Sequence, residues 1–337
     1  LGEFQGESRF AEAARFAREV FEHTIAVGDL ETVFAGPHLF SGFTFQKGNE
    51  SEKGAPPFAP ATVFLPRWQV GQSGGSYTAV ANCRVDPEEN IDSIVDRIWA
   101  AHEKFNGFNY EAIDTKPSPE LVSRRKVGSV DYAESVQDAL DEIQSGSYQK
   151  IVLANALDLK FDGPLLPLDT LDRLRRVYPE CSVFSLENER GQSLIGATPE
   201  RLLRLVGQEL MTEAIAGSEP RGETAQEDAR LAHALLTSEK DLREHRVVID
   251  SIHQRLRKLG LKPSAPSSPD LLQLANVQHL ITPIQAQLDG QLHLFEVAGE
   301  LHPTPAVGGS PREATWSRIR EKEAFDRGIY SGLVGWC

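Results

Sequence analysis

CSVFSLENERGQSLIGATPERLLRLVG, residues 181–207, holds three strand-like runs in succession. CSVFSLEN, SLIGAT and RLLRLVG are short and rich in β-branched and aliphatic residues. Gly, Asn and Pro part them, the punctuation of turns. No helical period separates the three. A parallel sheet built from βαβ units needs a helix at each crossing. The stretch therefore predicts an α+β fold with antiparallel sheets.

The same mixed order extends outward. KIVLANALDLKF, 150–161, reads as one strand. Before it a helix is predicted over about 130–145, with Ala133, Val136, Leu140 and Ile143 on one face, Ser129 as N-cap and Gly146 as stop. Another is predicted at about 90–105, and a first over 8–24, where Phe10, Ala13, Phe16, Val20 and Phe21 recur at helical spacing. Residues 32–48 and 61–85 read as antiparallel strands and turns. Between them ESEKGAPPFAPA is a loop, because Pro56, Pro57 and Pro60 forbid regular pairing. After the opening stretch a long helix is expected over 225–260, then a solvated loop, KPSAPSSPD, at 262–270.

The chain has 337 residues, 40% of them hydrophobic, enough for a sizeable core in one large domain or two ordinary ones. Its formal net charge of −14 repels nucleic-acid phosphates and anionic lipids, so neither is an expected partner. An anionic metabolite is repelled too, so a site for one needs local positive charge. The three cysteines, Cys83, Cys181 and Cys337, lie far apart without CxxC spacing. That fits a reducing compartment rather than a disulfide framework or zinc site. No apolar run approaches the roughly 18 residues of a membrane span. The first residue is Leu1, which leaves a lost targeting peptide open.

Several residues invite a chemical reading. Lys150 opens its predicted strand just after a Gly-Ser-Tyr turn. Seen alone, it is a lysine capping a strand end in water. The functional reading is a partly buried amine able to accept a proton near neutral pH. Glu200 follows a Thr-Pro turn between apolar runs, either a surface turn residue or an acid of raised pKa. In AIAGSEPRG, 214–222, small residues permit close backbone approach to a ligand and Ser218 can donate a hydrogen bond, although many turns read this way. Glu244 lies in SEKDLREHRVVIDSI, 238–252, where most charges are solvated; it is the residue suited to hold a hard divalent cation. His279 sits in the apolar strand VQHLIT, where a satisfied core histidine is the commoner outcome. LHPTPAVGGSP, 301–311, lacks the Gly-Lys-Ser/Thr ending of a P-loop. EAFDRGIYSGLVGW, 323–336, suggests a turn through Arg327 and Gly328 into a strand carrying Tyr330.

Taken singly these signals are weak; their order is specific. KIVLANA, GATPERLL, AIAGSEPRG, SEKDLREH, VQHL, HPTPAVGG and EAFDRGIYSGLVGW occur in that sequence. The set resembles the chorismate-binding enzymes, a family of isochorismate, salicylate, anthranilate and aminodeoxychorismate synthases. The resemblance is strong from about 125 to 336 and loose over 1–120. It implies a single domain over 1–337, with antiparallel sheets forming a sandwich and helices packed outside. It also implies a magnesium-dependent reaction on chorismate, in which water attacks C2 and the C4 hydroxyl leaves.

By position, the resemblance makes Lys150 the base and Glu200 the acid, with Glu244 on the metal. Gly217 and Ser218 would contact the substrate carboxylate, and His279, Thr304 and Tyr330 would line the pocket. Amine-using members lack a lysine where Lys150 stands, which points to isochorismate or salicylate synthase. The HPTPAVGG wording is similar to isochorismate synthases, with salicylate synthase or a non-catalytic chorismate-binding relative as the alternatives. Menaquinone or phylloquinone synthesis, a cytoplasmic location and a monomeric state are the accompanying expectations. Two departures stand out. Asn155 occupies a place where the family often has arginine, and the family pattern runs on past Cys337 through a substrate-binding arginine and a second metal-binding glutamate. Without those, weaker magnesium and carboxylate binding is expected.

Overall fold

The computed structural model describes residues 1–47, 56–106, 119–128, 130–288 and 290–337. Ser129 and residues 50–55 of the expected loop lie outside the described residues. In chain order the elements are β1 (Gly2–Phe4), α1 (Arg9–Glu22), β2 (Phe40–Phe43), β3 (Ala61–Phe64), β4 (Trp68–Ser73), β5 (Ser76–Ala81), α2 (Ile91–Asn106), β6 (Leu121–Lys126), α3 (Tyr132–Gln144), β7 (Lys150–Ile151), β8 (Leu157–Phe161) and α4 (Pro167–Val177). There follow β9 (Ser182–Glu187), β10 (Ser193–Thr198), β11 (Arg204–Val206), β12 (Glu209–Pro220), α5 (Ala225–Thr237), α6 (Glu239–Lys258), β13 (Asp270–Gln273), β14 (Val277–Gln287), α7 (Leu294–Leu301), β15 (Gly309–Ser310), α8 (Arg312–Glu323) and β16 (Leu333–Trp336).

Among the described residues every strand pairing is antiparallel. Two sheets have four strands each, in the orders β1-β3-β2-β16 and β11-β12-β14-β13. Residues 181–207 behave as their punctuation predicts: β9 and β10 form a hairpin, with Glu187 opposite Ser193 and Ser182 opposite Thr198. The third run pairs only at Arg204–Val206. Leu202 and Leu203 before it turn into the core, where the Thr212 hydroxyl donates to the Leu202 carbonyl at 2.6 Å.

Two apolar clusters result. One joins Phe10, Ala13, Ala14 and Ala17 of α1 to Phe43, Ala61 and Val63 of β2 and β3. The other packs Val248, Ile252 and Leu256 of α6 against Leu210, Ala214 and Ile284 of β12 and β14. Helix α7 serves both: Phe295 and Ala298 enter the first, Val297 and Leu301 the second.

Four expectations need correcting. The buried stripe of α1 is Phe10, Ala13, Ala14 and Ala17, while Phe21 is exposed. On α3 the buried residues are Ser135 and Ala139, with Leu140 exposed and Asp131 as the N-cap, its carboxylate accepting from the Ala133 and Glu134 amides. The long helix is two: Ser238 ends α5 and caps α6, its hydroxyl accepting from the Asp241 amide. Ser238 holds an extended conformation, with φ −68° and ψ 112°, and so breaks the helical path. Finally, 150–161 is not one strand. β7 pairs with β15 and β8 with β6. The backbone between them is claimed by other groups, the Ala154 amide donating to Glu323 and the Val152 carbonyl accepting from Arg327.

Candidate active site

The long strand β12 alternates in burial as far as Ala214, and Ile215, Ala216 and Gly217 are then buried in succession. There the register slips: Ala216 faces Leu280 and Ser218 faces His279, so Gly217 is an extra residue forming a bulge. Its φ of +79° explains the glycine, and a Cβ would lie 3.2 Å from Asp241 Cβ and 3.3 Å from Leu280 Cδ1. The stretch whose wording many turns share is thus a bulged strand. Realigned by the bulge, Ser218 Oγ and His279 Nδ1 share a hydrogen bond at 2.8 Å. Burial holds the His279 pKa below its ordinary value, which favours the neutral ring.

Lys150 arrives from another direction. It opens β7, a two-residue ladder in which it faces Ser310 and Ile151 faces Gly309. Flanking bonds from Gln149 N to Ser310 O (2.8 Å) and Val152 N to Gly308 O (2.7 Å) dock this segment on the HPTPAVGG loop, which brings Ala306 to the same place. The Lys150 side chain is 13% exposed, and its Nζ lies 2.8 Å from Oε1 of Glu244 on α6. The next residue, His245, is buried and bonds Thr282 Oγ1 at 2.7 Å, which fixes how α6 presents Glu244.

Glu200 follows β10 in a turn whose amide bonds Thr198 Oγ1 at 3.2 Å. Burial pushes its pKa up to about 7, opposed by the Lys150 ammonium and assisted by the Glu213 carboxylate. At neutral pH such a carboxyl is part protonated and can donate a proton.

These groups meet in one cavity of about 220 Å³, lined by Lys150, Thr198, Pro199, Glu200, Ile215, Ala216, Gly217, Ser218, Glu244, His279 and Ala306. Six residues predicted from the sequence are therefore together: Lys150, Glu200, Gly217, Ser218, Glu244 and His279. Thr304 and Tyr330 are not among the lining residues. Thr304 is buried one turn before the wall, its carbonyl accepting from the Val307 and Gly308 amides. Tyr330 is 58% exposed and sits in a turn, not in the expected strand, which begins at Leu333. Thr198, Ile215 and Ala306 escaped sequence reading because small and apolar residues carry no chemical signature.

Charge in the cavity is unbalanced for an anion. Among its lining residues Lys150 is the lone lysine or arginine, and it is already paired with Glu244. Among the described residues no group of three or more His, Cys, Asp or Glu is arranged to hold a metal. Glu244, with a side chain 34% exposed at the cavity wall, offers one hard oxygen ligand. That suits magnesium, which takes one or two protein carboxylates and keeps other positions for water and substrate. Among the described residues no helix is long and apolar enough to cross a membrane.

The family model described as "Chorismate binding enzyme" matches residues 1–337. The isochorismate synthase MenF of Bacillus subtilis is 31% identical over 327 residues, 97% of this chain and 68% of that protein. The salicylate biosynthesis isochorismate synthase of Pseudomonas aeruginosa is 32% identical over 336 residues, 98% of this chain and 68% of that protein. Among solved structures, the menaquinone-specific isochorismate synthase MenF of Escherichia coli superposes with a TM-score of 0.75 at 26% identity, covering 100% of this chain and 72% of that one.

Proposed function

The chain belongs to the chorismate-binding enzyme family, and on that premise we propose that it is an isochorismate synthase, converting chorismate to isochorismate. The reaction moves a hydroxyl: water adds at C2, the ring double bonds shift, and the C4 hydroxyl departs. Water is a poor nucleophile and hydroxide a poor leaving group, so each end needs a proton carrier. The observation that carries this reading is one cavity in which the Lys150 side chain stands with Glu200, a carboxyl whose pKa is pushed up to about 7. Lys150, as the neutral amine, takes the proton from water as the new C–O bond forms. Glu200 gives its proton to the departing oxygen. Ser218 and the backbone at Gly217 receive a substrate carboxylate, and a hydrogen bond donated by His279 Nδ1 to Ser218 Oγ leaves the hydroxyl proton for that contact.

Chorismate carries two carboxylates, and the cavity has no spare cation of its own. That supports a magnesium ion held by Glu244. When bound, it neutralises and orients a substrate carboxylate. Likeness to the menaquinone-specific isochorismate synthase of Escherichia coli supports a place in quinone synthesis.

The test is product analysis of the purified chain with chorismate and magnesium. Isochorismate should accumulate. Salicylate with pyruvate in its place would overturn the reading in favour of a two-step synthase, and chorismate binding without turnover would make the chain a binding relative.

A further inference from the structure

The segment after Lys150 should be among the weakest parts of the site. Only Lys150 and Ile151 belong to a ladder there, and two paired residues do not hold a strand in place. Yet Lys150 must be held within a fraction of an ångström to act on a bound water.

The backbone is fixed by an ion pair from the far end of the chain. Glu323 closes α8 and Arg327 follows four residues on; their side chains are 2% and 3% exposed. Arg327 Nε donates to Glu323 Oε2 at 2.9 Å, and its Nη2 pairs with Oε1. The remaining donors go to two separate segments: Nη2 to the Val152 carbonyl at 2.8 Å and Nη1 to the Val307 carbonyl at 2.9 Å. Glu323 Oε1 in turn accepts from the Ala154 amide at 2.6 Å. The guanidinium rests on the Phe45 ring, 4.2 Å from its centroid. Val152 and Ala154 lie just past Lys150, and Val307 just past Ala306, so the pair grips both segments that form this wall.

We propose that Arg327, oriented by Glu323, is a positioning residue for the reaction: it holds the Lys150 segment and the Ala306 loop in fixed relation to each other. The proposal rests on the reading of Lys150 as the base. It requires a planar guanidinium, because a lysine ammonium cannot reach Val152, Val307 and Glu323 in three fixed directions.

The experiment compares Arg327→Lys and Glu323→Gln with Ile252→Val, a core change in the α6 cluster that lowers stability without touching the wall. Arg327→Lys should lower kcat about 100-fold, with KM for chorismate changed less than about threefold. Ile252→Val should leave both constants unchanged at a temperature where all variants are folded. A folded Arg327→Lys with kcat within threefold of the parent overturns the proposal. If that variant does not fold, Glu323→Gln decides, a tenfold loss of kcat supporting the proposal and an unchanged kcat overturning it. A parent chain that makes no isochorismate refutes the proposed reaction; the clamp is then judged by amide hydrogen exchange. Faster exchange at 150–154 and 306–309 in either variant supports it, and unchanged protection overturns it.

Discussion

Gly217, Ser218 and His279 reach the cavity from β12 and β14, paired without a break except at one bulge. Lys150 and Ala306 reach it from segments that share a two-residue ladder and depend on a distant guanidinium. The first wall is built by repetition. Many equivalent backbone bonds fix its side chains, and losing one leaves the rest. The second concentrates its geometry in a few bonds of different kinds. A site can thus combine a redundant half that receives substrate with a sparse half that carries the base.

The sharpest way to test this contrast is to remove chemistry from the sparse wall. Lys150→Ala should lower kcat about 10³-fold in an isochorismate assay while the protein stays folded. Comparable turnover would show that the sparse wall carries no base.

Glu200→Gln comes next, with kcat about 100-fold lower. In the parent, kcat/KM should fall as pH rises above about 7, because the proton that Glu200 donates is then lost. The same substitution separates function from stability. The folded-state pKa of about 7 lies above the ordinary carboxyl value of 4.5, so the folded chain binds this proton more tightly than the unfolded chain. The contribution is fully present below about 4.5 and is lost as pH rises through about 7. Above that, burying the anion costs about 3 kcal/mol. Glu200→Gln should therefore raise the melting temperature at pH 8 and change it little at pH 4. The reverse pattern would show that Glu200 is not buried as an acid.

On the ladder wall the effects should be smaller. Gly217→Ala places a Cβ in the left-handed region against Asp241 and Leu280 and should cost about 1–3 kcal/mol in a denaturant titration. Ser218→Ala deletes one hydrogen bond and should raise KM a few-fold, with stability lowered by about 1 kcal/mol or less. A loss at Ser218 as large as that at Lys150 would break the comparison, since the ladder would then be no more redundant than its counterpart.

The same contrast explains how much could be read from sequence. β9 and β10 were legible because their β-branched and aliphatic residues and their bounding turns are local. Six site residues were legible because the order of seven short motifs marks them. The break at 152–156 was not, because KIVLANALDLKF reads as one strand and nothing local shows that its amides and carbonyls are claimed from residues 323 and 327. Glu323 and Arg327 stand four apart with opposite charges, but Arg327 reads as part of a turn and nothing local marks the pair as buried. The break at Ser238 was written as a serine followed three residues later by aspartate, and a continuous charged run masked it. The turn through Arg327 and Gly328 was legible, but it runs on past Tyr330, which is exposed, and the strand begins only at Leu333.

Helix α7 has eight residues and two apolar flanks, one in each cluster. If either sheet peeled away, half of that helix would be left bare to water, and eight residues are too few to stay helical unsupported. Neither sheet can therefore melt as a private event. The sheet of β12 and β14 that lines the cavity and the sheet packed on α1 should rise and fall together in denaturation, with partial unfolding confined to elements that α7 does not touch.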